Sequence, residues 1–106
     1  MAIKITGSSK RLTATPNDVA YIVPSDCMSA TIASGTVETL TGVGTRLNIK
    51  IVGPTREAWV ILNKEITVIG APLVLPTITL NRGEHLAAWS DVDASLDMSL
   101  TIGEQR

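Results

Sequence analysis

The chain has 106 residues, a formal charge of −1 and 44% hydrophobic residues. Its nine basic residues are scattered and only 3% of the chain is aromatic, which excludes the basic stripe and stacking platforms of a nucleic-acid binder. The lone Cys27 cannot form an internal disulfide, and neither a signal-peptide apolar region nor ~20 consecutive apolar residues is present, so the expectation is a single domain made in a reducing cytoplasm, with no membrane partner.

Ile, Val and Thr supply 33 residues, and side chains branched at Cβ suit a pleated surface better than a helix. Gly and Pro punctuate the chain throughout, the spacing expected of a sandwich or barrel built from short strands. A first strand is expected over Ala2 to Thr6. The polar stretch behind it, Gly7 to Asp18 ("GSSKRLTATPND"), reads as an arm or loop, so residues 1–18 are expected to form an extended strand with a polar arm. Strands follow at Val19 to Val23, Met28 to Ala33 and Thr45 to Val52. In the last of these Leu47, Ile49 and Ile51 alternate with Arg46, Asn48 and Lys50, the mark of an antiparallel strand with one buried face.

Beyond the "VGPTR" turn, "TREAWVILNK" has a Thr cap and helix formers, but its continuous apolar run fits a buried strand as well. Strands are expected at Ala58 to Leu62, Glu65 to Ile69, Thr77 to Leu80 and His85 to Ser90. The closing stretch has two periods. Leu86, Trp89, Leu96 and Leu100 fall at helical spacing, but a helix there would put Asp93 on its apolar seam. Leu96, Met98, Leu100 and Ile102 alternate strictly, so a final strand is expected over Ala94 to Ile102 after a turn at "SDVD". The fold class is therefore all-β: a single antiparallel β-sandwich over residues 1–106, jelly-roll or Ig-like, with about eight strands.

Few residues carry chemistry. His85 has no second histidine, and no metal-binding cysteine pair or phosphate-binding glycine loop occurs. A Cys27–His85 nucleophile pair is conceivable, but "DCMSATI" reads as the start of a strand with Cys27 a small hydrophobe. Asp91, Asp93 and Asp97 lack the Gly and Glu of a calcium loop and read as a solvated turn. "NRGE" reads as a turn with Gly83 at positive φ, and Glu84 and His85 as solvated turn residues. Trp59 and Trp89 sit among aliphatic residues and are expected in the core. No catalytic, cofactor or metal site is expected, and no enzyme activity or small-molecule substrate.

The order of the pieces resembles a family of small tailed-bacteriophage virion β-sandwich proteins. The matching positions are Tyr21, Val23 and Pro24; Leu80, Gly83, Glu84 and Leu86; and Leu96, Met98, Leu100, Ile102, Gly103 and Glu104. The resemblance spans nearly the whole chain from Ala2. It implies a non-enzymatic virion structural protein, foremost a capsid decoration (cement) protein, with a neck or tail accessory as one alternative and a carbohydrate- or receptor-binding module of a tail fibre as another. It also implies that Glu84 caps backbone donors in its turn. The expected partners are further copies of the chain, trimer first and larger ring second, and other virion proteins such as the major capsid protein. Lys10, Arg11, Leu12, Asn17 and Asp18, on the expected arm, are the candidate partner contacts.

Overall fold

The computed structural model describes residues 3–41, 45–66, 69–93 and 95–106. Among them run nine strands: β1 (Ile3–Arg11), β2 (Val19–Ile22), β3 (Ser29–Thr39), β4 (Thr45–Val52), β5 (Glu57–Ile66), β6 (Leu73–Val74), β7 (Ile78–Asn81), β8 (His85–Ser90) and β9 (Leu96–Gln105). They form two antiparallel sheets. In the first the order is β1-β9-β3-β6, with β7 also pairing β3; in the second it is β2-β8-β4-β5. The first strand thus lies beside the last, and the second beside the last but one. With β6 and β7 sharing one position, this is the eight-place order of a jelly roll, two Greek keys wound together. The chain is therefore an all-β antiparallel sandwich of the jelly-roll kind.

Period-two alternation decides which side chains enter the sandwich. In β9 Leu96, Met98, Leu100 and Ile102 are buried while Ser99 and Thr101 are exposed. The strand reading of "ASLDMSLTI" holds, although Ala94 lies outside the described residues. In β4 Leu47, Ile49 and Ile51 turn inward as expected. Leu86 and Ala88 of β8 extend the inward layer beside β4, and Ile32 and Val37 of β3 extend the facing layer beside β9. No aromatic ring is fully buried, so the core is filled by branched aliphatics.

Several boundaries differ from the sequence reading. The strand expected at Ala58 to Leu62 and the start of the one expected at Glu65 to Ile69 are one, β5, which ends at Ile66; Thr67 and Val68 lie outside the described residues and Ile69 is in a turn. The register of β5 against β4 shifts twice, and Asn63 takes a left-handed φ of 51°, with its backbone N–H bonded to Asn48 Oδ1 at 2.9 Å. The extra residues are absorbed as bulges rather than by a turn. β3 runs on to Thr39, through Gly35.

The largest difference concerns the expected arm. Gly7 to Arg11 belong to β1, paired without a break to β9 from Ile3↔Gln105 to Arg11↔Asp97. Leu12 behind them is fully buried in the core. Only residues 13–18 form a connection, and it is tied to the second sheet by Ser90 N–H to the Thr13 carbonyl at 3.0 Å and Ala88 N–H to the Asp18 carbonyl at 2.9 Å. Serine and glycine are weak strand formers in isolation, but the ladder offered by β9 overrides that preference.

Candidate interaction surfaces

The turn containing "RGEH" is the most densely bonded polar feature. Gly83 has a φ of 86°, which a side chain would strain. Glu84 is only 3% exposed. Its carboxylate accepts the Arg56 guanidinium through two bonds, Nε at 2.9 Å and Nη2 at 2.6 Å, and the Asn81 backbone N–H at 2.7 Å. Arg56 also donates to the Thr79 carbonyl at 3.1 Å. The expectation of a solvated Glu84 is therefore wrong, while its role as a cap for a backbone donor is present. A Cβ on Gly53 would lie 2.6 Å from Glu84 Cγ, so glycine is required for this close approach. The Arg56 hydrogen bonds hold the Glu84 carboxyl below its ordinary range. The arrangement clamps the β4–β5 turn to the β7–β8 turn and leaves the carboxylate no free face for acid–base work.

The nucleophile pair considered above is not assembled. Cys27 is buried, its thiol donating to Asp26 Oδ1 at 3.6 Å. Burial, reinforced by the Asp26 carboxylate, pushes the thiol pKa up, which suppresses the reactive thiolate. His85 begins β8, where it pairs with Ile22 and Val52. Among the described residues no hydrogen bond joins it to Cys27. Nearby, the Tyr21 hydroxyl donates to the buried Glu104 at 2.5 Å, and burial followed by this bond raises the Tyr21 pKa. Strand β2 is thereby fastened across the sandwich to β9.

The three aspartates serve three separate partners. Asp91 accepts the Arg46 backbone N–H at 2.7 Å, Asp93 that of Ala14 at 3.3 Å, and Asp97 pairs with Arg11 at 3.0 Å. Asp91 and Asp93 are thus turn ties rather than a cluster.

The expected partner contacts fall into different environments. Lys10 pairs with Asp18 at 3.2 Å, and Asp18 also accepts the Thr13 hydroxyl at 2.8 Å; that hydroxyl, then Lys10, holds the Asp18 carboxyl below its ordinary range. Arg11 faces outward beside Asp97. Asn17, exposed, has a left-handed φ of 62°. Leu12 is inside the core and has no surface to offer a partner.

Sequence reasoning missed the surface that stands out. Neither tryptophan is in the core. Trp59 of β5 is 47% exposed, and its ring centroid lies 5.8 Å from that of half-buried Trp89 on β8, tilted at 53°. Lys50, on β4 between them, places its ammonium 5.0 Å from the Trp59 centroid and pairs with Glu57. Only part of the signal was in the sequence: Lys50 is outward by alternation, but the register that sets it opposite Trp59 comes from the pairing of β4 with β5.

Trp59 belongs to a wider pattern. Among the described residues eleven large hydrophobic side chains are exposed, and none of them lies on β3, β4, β8 or β9. Ile3, Ile5, Val19 and Ile22 are on β1 and β2. Trp59, Leu62, Ile69 and Val74 are on β5, β6 and the connection between them, and Met28, Leu40 and Val92 are in loops. Exposed apolar surface thus follows the edges of the two sheets.

A jelly-roll sandwich with apolar edges and, among the described residues, no assembled reactive cluster is a class defined by fold alone. No family model matches the sequence, and no curated protein matches it. Among solved structures, the chain is similar to a pentameric capsid protein isolated from metagenomic phage sequences, with a TM-score of 0.52 and 13% identity over 95% of this chain. It spans 61% of that chain's length. It is also similar to the nucleoplasmin-like N-terminal domain of Drosophila FKBP39, with a TM-score of 0.52 and 12% identity over 98% of this chain and 90% of that one. At these identities the likeness is one of fold.

Proposed function

We propose that the protein is a virion structural subunit that acts through repeated contacts with copies of itself and with a shell protein such as the major capsid protein. The observation that carries this reading is the confinement of exposed large apolar side chains to sheet edges and loops. An unpaired apolar edge is an aggregation hazard unless a neighbour covers it, and association along the sides of the sandwich covers it. The jelly-roll fold, the capsid protein that shares it, and the resemblance to small tailed-phage virion proteins support the same reading. Within it, decoration (cement) of a capsid is the favoured role, since a small domain with several simultaneous contacts gains avidity on a repeating surface. A closed ring is the favoured assembly; five-fold comes first, because the phage capsid protein of this fold is pentameric, and three-fold second.

The test is light scattering of the purified protein, followed by co-sedimentation with particles that lack it. A discrete oligomer that rebinds particles is the expected result; a monomer that never rebinds overturns the proposal.

The exposed Trp59 favours a second reading, a saccharide-binding module of a tail fibre, since an exposed indole beside polar groups can stack on a sugar ring. Trp59→Ala separates the two. Loss of binding to a host polysaccharide with the oligomer intact favours the second reading, and loss of the oligomer favours the first.

A further inference from the structure

The exposed edges fall on two opposite sides of the sandwich that differ in kind. β1 and β2 are the edge strands on one side, one from each sheet, and β5 and β6 are the edge strands on the other. Crossing contacts confirm the stacking: Tyr21 of β2 reaches Glu104 of β9, the strand next to β1, while Arg56, just ahead of β5, reaches Thr79 of β7. Each of these four strands exposes at least one large apolar side chain, whereas β7, which shares the position of β6, exposes none. The exposed large apolar side chains of one side, Ile3 and Ile5 on β1 with Val19 and Ile22 on β2, are all aliphatic. Those of the other are Trp59 and Leu62 on β5, with Val74 on β6.

Resting on the reading that copies of the chain form a closed ring, we propose that they join head to tail, the β1–β2 side of one subunit against the β5–β6 side of the next. Ile22 then meets Leu62 and Trp59 of the neighbour, and Ile5 meets its Val74. A two-fold contact would match each side with itself, whereas two different surfaces docking in rotation close a ring and leave no unused side. The strands point the same way. β1 is a nine-residue edge whose register is unbroken, so it has the greater need of a cover. β5 is bulged twice, which blunts it as a template for strand addition. Side-chain packing, rather than a continuous sheet, therefore joins the two sides.

Charge permits the contact. On the first side Lys10 pairs with Asp18 and Arg11 with Asp97; on the second Lys50 pairs with Glu57 and Arg46 with Glu65. Charges already paired within a subunit bring no unpaired ion into the interface. Lys4 and Lys64 have no ion-pair partner among the described residues. They lie on different sheets, so side-by-side docking does not set them against each other.

Cysteine cross-linking of the full chain in a Cys27→Ser background tests the polarity. Ile22 and Leu62 are on the two outer strands of one four-stranded sheet, about 14 Å apart at three strand spacings, too far for a disulfide within one subunit. With copper phenanthroline and air as oxidant, Ile22→Cys/Leu62→Cys should give a ladder of covalent oligomers ending at the size that light scattering reports. Ile5→Cys/Val74→Cys is the second pair, in case the first has unsuitable geometry. The single variants Ile22→Cys and Leu62→Cys should each stay uncross-linked. Dimers from either single variant, or no ladder from both double variants, in a ring that light scattering shows intact overturn the pairing of the β1–β2 side with the β5–β6 side while leaving the ring reading standing. A protein that is monomeric before any oxidation overturns the ring itself.

Discussion

The two outward faces of this sandwich were built by the same rule and ended up unlike. Across the middle of the β1-β9-β3 sheet the outward positions are small and polar: Ser9, Ser99 and Thr36 form one row across three strands, and Gly7, Thr101 and Ser34 the next, with Ile3 and Ile5 standing beside Gly103 at one end. On the β2-β8-β4-β5 sheet the outward positions hold Trp59 against both Trp89 and Lys50. Alternation sends every second residue outward on both sheets. It fixes how many side chains face solvent, and says nothing about what they are for. The difference teaches that a core made of branched aliphatics does not need its largest aromatic rings. The tryptophans on the surface therefore require another explanation, and the edges on which the exposed apolar residues gather supply one.

The sharpest contrast is between the inside and the outside of β9. Leu100→Ala should cost about 2–5 kcal/mol in urea unfolding at fixed protein concentration, and Ser99→Ala, one residue away on the hydroxyl-bearing face, less than about 0.5 kcal/mol. Equal losses would mean that β9 does not bury one face. Next in size is the clamp that joins the turns at one end. Glu84→Gln should destabilise by about 3 kcal/mol, the low end for breaking a buried pair, since the Arg56 side chain is 41% exposed. The same variant tests the pH dependence. The folded carboxyl titrates below its ordinary value, so the clamp contributes in full above the usual glutamate range near ~4.3 and is lost as pH falls through the lower folded value. The wild type should lose stability across that acid window, and Glu84→Gln should show a flatter profile there.

A smaller effect compares the two outward faces directly. Trp89→Ala should cost about 1–2 kcal/mol from lost half-buried area, whereas Thr101→Ala on the other face should change stability by less than about 0.5 kcal/mol. If Thr101→Ala proved as costly, the two faces would not differ in the way proposed. The smallest expected change is that of Lys50→Met, which removes the cation over Trp59 at a cost of about 0.5–1 kcal/mol, read as a shift in the same urea midpoint.

Much of this architecture was legible in the residues. The alternation in β4 and β9 and the turn at Gly83 predicted strands and orientation correctly, because in each case the periodic pattern and the turn chemistry agree locally. The expected arm failed for the opposite reason. Between Gly7 and Arg11 there is no apolar pattern, since the exposed positions of this edge are Gly7, Ser9 and Arg11 and the alternate ones, Ser8 and Lys10, are only half covered. The pairing that makes it a strand comes from β9, some ninety residues further along the chain. Glu84 was misjudged likewise. Its guanidinium partner is 28 residues earlier in sequence, and an acidic residue in a turn looks solvated until that partner is placed beside it.

By itself, the sequence determined the class of structure: branched aliphatic residues at a period of two, cut by glycine and proline, can bury their apolar sets only between two sheets. It also determined which side chains of the regular strands point inward, because that follows from local backbone geometry alone. Only the tertiary structure decided that the first strand pairs with the last, that Arg56 and Glu84 close one end, and that Trp59, Trp89 and Lys50 meet outside the core. Those outcomes depend on contacts between residues far apart in the chain. The jelly-roll winding creates them, and no local preference encodes them.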